Sequence, residues 1–241
     1  SVASLALVYR PVARQPEDPV LSPPTAPALD RLGDVLPAGA VVRLGTLRFR
    51  HPSVRCLAGS ADGRLMASGG EDGHVRVWGA ASGEPLLDLD LEASLIPSVA
   101  LSADGKLLAS GAGDSAVRLH DTSNGALVRK LTGHTGKVHA VALTPDARLL
   151  VSGSEDRTLR VWEVATGRAL AVLGEQQAPV FTVSTSPDGR LVASGAGDRH
   201  VRIHDLASRR LLQRLGPLEA GPIHVEFSPD GKLLAVSSGP A

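Results

Sequence analysis

A strict internal repeat, the pattern of short apolar runs within it and the turn residues between those runs together predict an all-β fold. A Ser/Thr-x-Asp turn recurs every 42 residues, beginning at Ser60, Ser102, Thr144, Ser186 and Ser228. Each interval holds four short apolar runs separated by turn-forming residues, which is the size of a four-stranded antiparallel sheet. Because both faces of these strands are apolar, each sheet is expected to pack between two others.

Two segments precede the repeats. Residues 1–10 are mostly apolar but too few to span a bilayer. They are interpreted either as the end of a longer transmembrane or signal segment cut off upstream or as an isolated apolar strand. Residues 11–37 are predicted to be a Pro-rich linker, since proline interrupts both helices and sheet ladders.

Residues 38–241 are predicted to form the repeat domain, beginning with an outer strand at 41–50 that has no sheet of its own. The third unit shows the expected order most clearly, because tight turns follow its first three apolar runs. Its predicted strands are residues 137–143, 148–153, 158–162 and 169–173.

Four complete repeats and a partial fifth are expected. The fifth unit ends after its second strand, so we expect a chain truncated at both ends and an incomplete ring. The predicted units are residues 51–91, 92–132, 133–174, 175–216 and 217–241.

The units resemble WD repeats over about residues 45–241, most closely where Gly133-His134, Ser152-Gly153 and Trp162-Glu163 occur. The resemblance implies a β-propeller of four-stranded blades, with an outer strand such as 41–50 closing the last blade. It also implies a buried hydrogen-bonded network of His134, Ser152, Asp156 and Trp162. In such a network every buried polar group finds a partner, which removes most of the cost of burial.

The other units retain part of this pattern. Their equivalents are Ser68, Asp72 and Trp78; Ser110, Asp114 and His120; and Ser194, Asp198 and His204. His51 lies one position away from the expected loop histidine and would substitute for it if the loop is one residue shorter, and Gln176 replaces it in the fourth unit. A full network is therefore expected only in the third unit, with His120 and His204 donating a ring N–H in place of the indole. Asp156→Ala is expected to destabilise the fold more than Asp198→Ala.

Catalytic, metal and cofactor sites are not expected. Repeated Ser, His and Asp residues could form a hydrolase triad, but they recur at fixed positions, as structural residues do, and no Gly-x-Ser-x-Gly motif is present. The histidines follow the repeat and lack the close spacing of a zinc site. Glycine-rich stretches precede turns rather than helices, which does not fit a phosphate-binding loop.

Partner proteins or peptides are the expected ligands. In WD-repeat proteins one face, formed by the inter-blade loops and the turns after the second strands, commonly holds partners. The alternative is that the charges there are ordinary solvated turn residues. The residues predicted on this face are Glu71, Lys137, His139, Glu155, Arg157 and Arg199.

The functional prediction is a non-catalytic interaction scaffold or regulatory module of a larger, bacterial protein. An enzyme with its active site at the channel mouth and a purely architectural spacer are the alternatives. The formal net charge is +0, which does not indicate binding to nucleic acid or membrane by the propeller itself. A cytoplasmic location is slightly favoured, with a membrane tether through the N-terminal segment as the alternative.

Overall fold

The computed structural model describes residues 51, 53–173 and 176–238, without the side chains of residues 222 and 223. The predicted apolar segment (1–10), Pro-rich linker (11–37) and outer strand (41–50) lie outside the described residues, as do residues 239–241 of the fifth unit.

The described chain contains eighteen β-strands and no helix. Each strand pairs antiparallel with its neighbour in sequence, giving four sheets of four strands and a fifth of two. The sheets are β1 (Val54–Gly59), β2 (Leu65–Gly70), β3 (His74–Gly79) and β4 (Pro85–Asp90); β5 (Ser98–Leu101), β6 (Leu107–Gly111), β7 (Val117–Asp121) and β8 (Leu127–Leu131); β9 (Val138–Leu143), β10 (Leu149–Ser154), β11 (Leu159–Glu163) and β12 (Ala169–Leu173); β13 (Val180–Thr185), β14 (Leu191–Ala196), β15 (His200–Asp205) and β16 (Leu211–Leu215); and β17 (Pro222–Phe227) and β18 (Leu234–Ser238).

This architecture confirms the predicted fold class. The predicted strands of the third unit agree with β9 to β12 to within one residue at each end. The sheets follow one another through their inner strands β1, β5, β9, β13 and β17, and among the described residues they do not close into a ring.

The first turn of each sheet is set by one aspartate. In the first sheet the Asp62 carboxylate accepts hydrogen bonds from the Ser60 hydroxyl at 2.6 Å and from the Arg64 amide at 3.0 Å. Gly63 then adopts a φ of +69°, which glycine does without a steric penalty. The third sheet places Ala147 at the equivalent position with a φ of +54°.

The apolar core lies between consecutive sheets, in four clusters that each join residues of two neighbouring sheets. Glycines in the second strands allow the sheets to come close together. A Cβ on Gly111 would lie 2.8 Å from the Val138 side chain, and one on Gly153 would lie 2.5 Å from that of Val180. Both valines begin the inner strand of the next sheet, so these glycines define the packing distance.

Hydroxyl groups on the inner strands also join the sheets. Ser98 Oγ accepts the Val141 amide of the next sheet at 3.0 Å, and Thr182 Oγ1 accepts the Val225 amide at 3.1 Å. These contacts satisfy main-chain donors on strands that form the inner edge of each sheet. The five inner strands thereby line a central groove of about 660 Å³.

Gly153→Ala is expected to lower the free energy of unfolding by about 1–3 kcal/mol, because the added methyl group would overlap Val180. Urea unfolding followed by circular dichroism measures the change. Gly59→Ala is the control, since its nearest neighbour is 3.9 Å away, and it should leave stability unchanged or slightly raised. Equal effects of the two substitutions would contradict the assigned role of Gly153.

Candidate functional site

The third sheet contains a continuous polar network that connects the turn after β10 to strands β10 and β11. His134 Nδ1 lies 2.8 Å from Asp156 Oδ2, and His134 Nε2 lies 2.7 Å from Ser152 Oγ. Trp162 Nε1 donates to the same hydroxyl at 2.8 Å. Because a carboxylate only accepts, Nδ1 carries the imidazole proton and Nε2 accepts from Ser152. Thr158, which the sequence reasoning did not single out, also donates to Asp156 at 2.7 Å.

The first sheet forms an equivalent network with His51. This ring lies 3.0 Å from Asp72 Oδ1 and 2.7 Å from Ser68 Oγ, which also accepts the Trp78 indole N–H at 3.0 Å. The expectation of a full network in the third unit alone was therefore wrong. His51 reaches the same partners through its other ring nitrogen, so the one-residue shift in the sequence does not prevent the contact.

The second sheet does not form the expected contact. Ser110 Oγ and His120 Nδ1 are buried, and neither has a hydrogen-bond partner among the described residues. The expectation that His120 donates to Ser110 in place of the indole is thus wrong, since the Ser110 hydroxyl has no hydrogen-bond partner among the described residues. Asp114 instead binds the Arg118 guanidinium through both oxygens, at 3.0 and 2.6 Å.

The fourth sheet replaces the histidine with Gln176. Its amide nitrogen donates to Ser194 Oγ at 3.3 Å, and its amide oxygen accepts from Arg202 at 2.7 Å. Arg202 also binds both oxygens of Asp198, at 3.1 and 2.6 Å. Since Arg202 is only 2% exposed, Asp198 neutralises a fully buried guanidinium. His204 is buried at the position that tryptophan holds in the first and third sheets.

Four arginines at equivalent positions are functional neighbours that the sequence reasoning missed, although they too recur every 42 residues. Three of them bind the aspartate in the turn after the second strand of their own sheet. Arg160 of the third sheet does not, because the Asp156 carboxylate is already hydrogen-bonded to His134 and Thr158. The Arg160 guanidinium instead lies 5.9 Å from the centre of the Trp162 ring. The four residues are Arg76, Arg118, Arg160 and Arg202.

The Ser152–His134–Asp156 geometry has the distances of a catalytic triad, but the serine is not available for attack. Ser152 is 0% exposed, and its oxygen already accepts the Trp162 indole N–H. A nucleophile must reach substrate, which this hydroxyl cannot do without opening the sheet. The arrangement acts as a structural bridge between the turn and the strands.

Hydrogen bonding keeps the turn carboxylates ionised. Burial raises the pKa of Asp156, but bonds from Thr158, the Thr135 amide and His134 outweigh it and lower the pKa to about 2. The pKa of Asp198 is lowered in the same way, with Arg202 as the main partner that opposes burial. Burial lowers the pKa of His134 and of His120, so both imidazoles remain neutral near pH 7.

The predicted partner-binding residues lie around one end of the sheets. Because strands alternate in direction, the turns after the second strands and the connections between sheets share this end, which we call the upper face. Lys137, Glu155, Arg157 and Arg199 are exposed there, whereas His139 is half-buried in the groove wall. The Glu155 amide donates to the Lys137 carbonyl at 2.8 Å, so the structure brings these two residues together.

Glu71 stands apart from this group, on the first sheet. Its carboxylate binds Arg55 at 2.9 Å. By contrast, Lys137, Arg157 and Arg199 form no ion pair with any described residue. The three exposed cations of this group that lack an ion-pair partner thus all lie on the third and fourth sheets.

Phe181 is a further residue of the upper face that the sequence reasoning missed. It is 42% exposed at the groove, and its ring centre lies 5.3 Å from that of His139. Its position one repeat of 42 residues after His139 is a signal that could have revealed it. The two rings form the wall of the groove between the third and fourth sheets.

The opposite end, the lower face, carries ion pairs at the turns between the first and second strands. In four of the five sheets, a base two residues after the turn aspartate lies 3.7 Å from that carboxylate. The pairs are Asp62 with Arg64, Asp104 with Lys106, Asp146 with Arg148 and Asp230 with Lys232. The described residues contain no group of three or more His, Cys, Asp or Glu side chains placed to hold a metal ion. Within the same part of the chain, no helix is long and apolar enough to cross a membrane.

Asp198→Ala is expected to lower the free energy of unfolding by about 3–5 kcal/mol, because it leaves Arg202 buried without its carboxylate. Asp156→Ala should cost about 1–3 kcal/mol, which reverses the order expected from the sequence. Asp114→Ala is the matched control, since its ion pair is more exposed, and it should cost less than Asp198→Ala. Urea unfolding tests the order; equal losses for Asp198→Ala and Asp114→Ala would refute it, and adding Arg202→Leu should recover part of the loss.

Acidification is expected to destabilise the fold between about pH 7 and 5. The unfolded histidines have a pKa of about 6.5, whereas burial lowers that of His120 and His134 in the folded state. Below pH 6.5 the unfolded chain therefore takes up protons that the folded chain resists, and the free energy of unfolding falls. The free energy of unfolding, measured with urea at several pH values, should fall less steeply with decreasing pH in His120→Gln than in the wild type. An unchanged dependence on pH would rule out His120 as a contributor.

Comparison with known protein families identifies the family to which these repeated sheets correspond. The family described as WD40: WD domain, G-beta repeat matches residues 43–79, 85–121, 125–163 and 167–205. Each match ends at the last residue of a third strand, at Gly79, Asp121, Glu163 and Asp205. The family repeat thus combines the outer strand of one sheet with the first three strands of the next. These matches cover more than half of the sequence, and the chain belongs to the WD40 repeat family.

Proposed function

We propose that this chain is a non-catalytic scaffold that binds partner proteins or peptides through its upper face, as a regulatory module of a larger bacterial protein. WD40 repeats are generally protein-interaction scaffolds without catalytic activity, and they typically mediate contacts with other proteins. We also propose the division of the chain into residues 1–10, 11–37 and 38–241. The excess of arginine over lysine supports the bacterial origin.

The observation that carries this proposal is the combination of exposed, unpaired cations and an exposed aromatic ring, Phe181, at the upper face. At the lower face four turn bases lie beside their own carboxylates, whereas Arg168, Arg209 and Arg210 are exposed there without an ion pair to a described residue. At the upper face Lys137, Arg157 and Arg199 are exposed and have no ion-pair partner among the described residues. Unpaired charge at the upper face favours an oppositely charged partner there.

Backbone conformation at the upper turns supports the same face. Arg157 and Arg199 adopt φ values of +67° and +64°, a region that is unfavourable for residues other than glycine. Gly73 holds the equivalent position in the first sheet with a φ of +80°. Arginine at two of these turns thus has a conformational cost that a binding role would explain.

The burial of Ser68 and Ser152 supports a non-catalytic role. Both hydroxyls are enclosed, and each already bonds a histidine and an indole. The polar groups that resemble catalytic residues are therefore used to hold the upper turns in place.

A random 12-residue peptide library displayed on phage and selected on the full chain tests this function. We expect enriched sequences that bind the wild type but not the variant Lys137→Glu/Arg157→Glu/Arg199→Glu. The matched control reverses three lower-face cations, Arg64→Glu/Lys106→Glu/Arg148→Glu, and should keep binding. Absence of any enriched peptide would favour an architectural spacer. Loss of binding in the lower-face variant alone would place the binding site on the lower face and contradict the proposal.

A further inference from the structure

We propose that the groove margin between the third and fourth sheets binds an extended peptide in which one aromatic residue is flanked by acidic residues. The site consists of Lys137, His139, Phe181 and Arg199, which we call the rim patch. This inference rests on the proposed scaffold function and specifies the chemistry of the partner.

The aromatic preference follows from the two rings of the rim patch. Phe181 and His139 lie with ring centres 5.3 Å apart and planes tilted by 54°, and Phe181 remains 42% exposed. Phe181 also lies under the turn of its own sheet, where a Cβ on Gly197 would be 3.2 Å from the ring. The ring therefore lies close to the Gly197 backbone while 42% exposed, which leaves it accessible to a partner side chain.

The pair of rings is local to these two sheets. The equivalent inner-strand positions of the first and second sheets hold Arg55 and Pro97. Arg55 is bound to Glu71, and proline offers no aromatic face. The repeat thus provides the same backbone position in each sheet, but only the third and fourth sheets place aromatic rings side by side there.

The acidic preference follows from the charges around the rings. Lys137 and Arg199 belong to the segments that adjoin His139 and Phe181, and neither cation has an ion-pair partner among the described residues. The nearby aspartates do not compensate for them, because Asp156 binds His134 and Asp198 binds the buried Arg202. Glu155 is the acid that remains beside Lys137 and His139.

A peptide fits this surface better than a nucleic acid. Both can combine stacking with contacts to cations. However, Glu155 lies beside the rim patch and Glu226 lines the groove on the fifth sheet, so a continuous phosphate backbone would meet carboxylates in two places. A short segment with a few carboxylates can place them against Lys137 and Arg199 alone.

Fluorescence anisotropy with the full chain tests the inference. The probe is a fluorescein-labelled peptide with one phenylalanine between two pairs of acidic residues, compared with the same peptide carrying lysines instead and with a 12-residue oligothymidylate. We expect the acidic peptide to bind, and Phe181→Ala and Lys137→Glu/Arg199→Glu each to weaken it by about tenfold or more. Glu155→Gln should strengthen it, and added salt should weaken it.

Two matched variants control for unfolding and for general surface effects. Leu212→Ala removes a 58% exposed apolar side chain on β16, and Lys106→Glu reverses an exposed charge on the lower face; both should bind as the wild type does. The unfolding midpoint of every variant is measured alongside, and a Phe181→Leu variant that folds but still binds weakly separates loss of the ring from loss of the fold.

Several outcomes would overturn the inference. They are no binding of the acidic peptide, equal binding of the lysine peptide, or binding of the oligonucleotide that depends on the same residues. If library selection on the upper face enriches peptides of another chemistry, the scaffold function stands and this assignment fails. If the acidic peptide binds but is insensitive to the rim-patch variants, the site lies elsewhere.

Discussion

The close approach of consecutive sheets is the constraint on which the rest of the structure depends. A four-stranded sheet with two apolar faces cannot be stable alone, so each face must be covered by a neighbour. Gly111 and Gly153 permit this by leaving room for Val138 and Val180 at the start of the next inner strand. The groove, the alignment of the upper turns and the pairing of His139 with Phe181 all follow from that spacing.

The aspartate in the turn after each second strand is a second recurring element, and the side chains that bind its carboxylate differ from sheet to sheet. His51 and His134 link it to a serine and a tryptophan in the first and third sheets. Arg118 binds it directly in the second, whereas in the fourth Arg202 connects it to Gln176. In all four sheets the outcome is an ionised carboxylate beneath the upper turn, and it accepts a hydrogen bond from a main-chain amide of that turn. The backbone geometry of the face is thus preserved while the buried chemistry varies.

Most of the fold could be predicted from the sequence because its signals are local and repeated. The 42-residue interval and the turn residues are enough to locate β9 to β12 within one residue. The partners within the networks were less predictable, since they depend on competition for one carboxylate in three dimensions. His51 reaches Asp72 although it is displaced in sequence, and His120 fails to reach Ser110 although it occupies the expected position. On the candidate face the charged residues could be anticipated from their turns, but the contact between His139 and Phe181 joins different sheets and needed the structure.

The left-handed conformation of the upper turns has an evolutionary consequence. Gly73, Ser115, Arg157 and Arg199 share this backbone geometry although they are three different residue types. A substitution at this position therefore alters the chemistry presented to solvent without altering the shape of the loop, at a conformational cost of about 1–2 kcal/mol for a residue other than glycine. Duplicated repeats could in this way diverge in recognition one sheet at a time, while the scaffold beneath them remained under separate selection for packing.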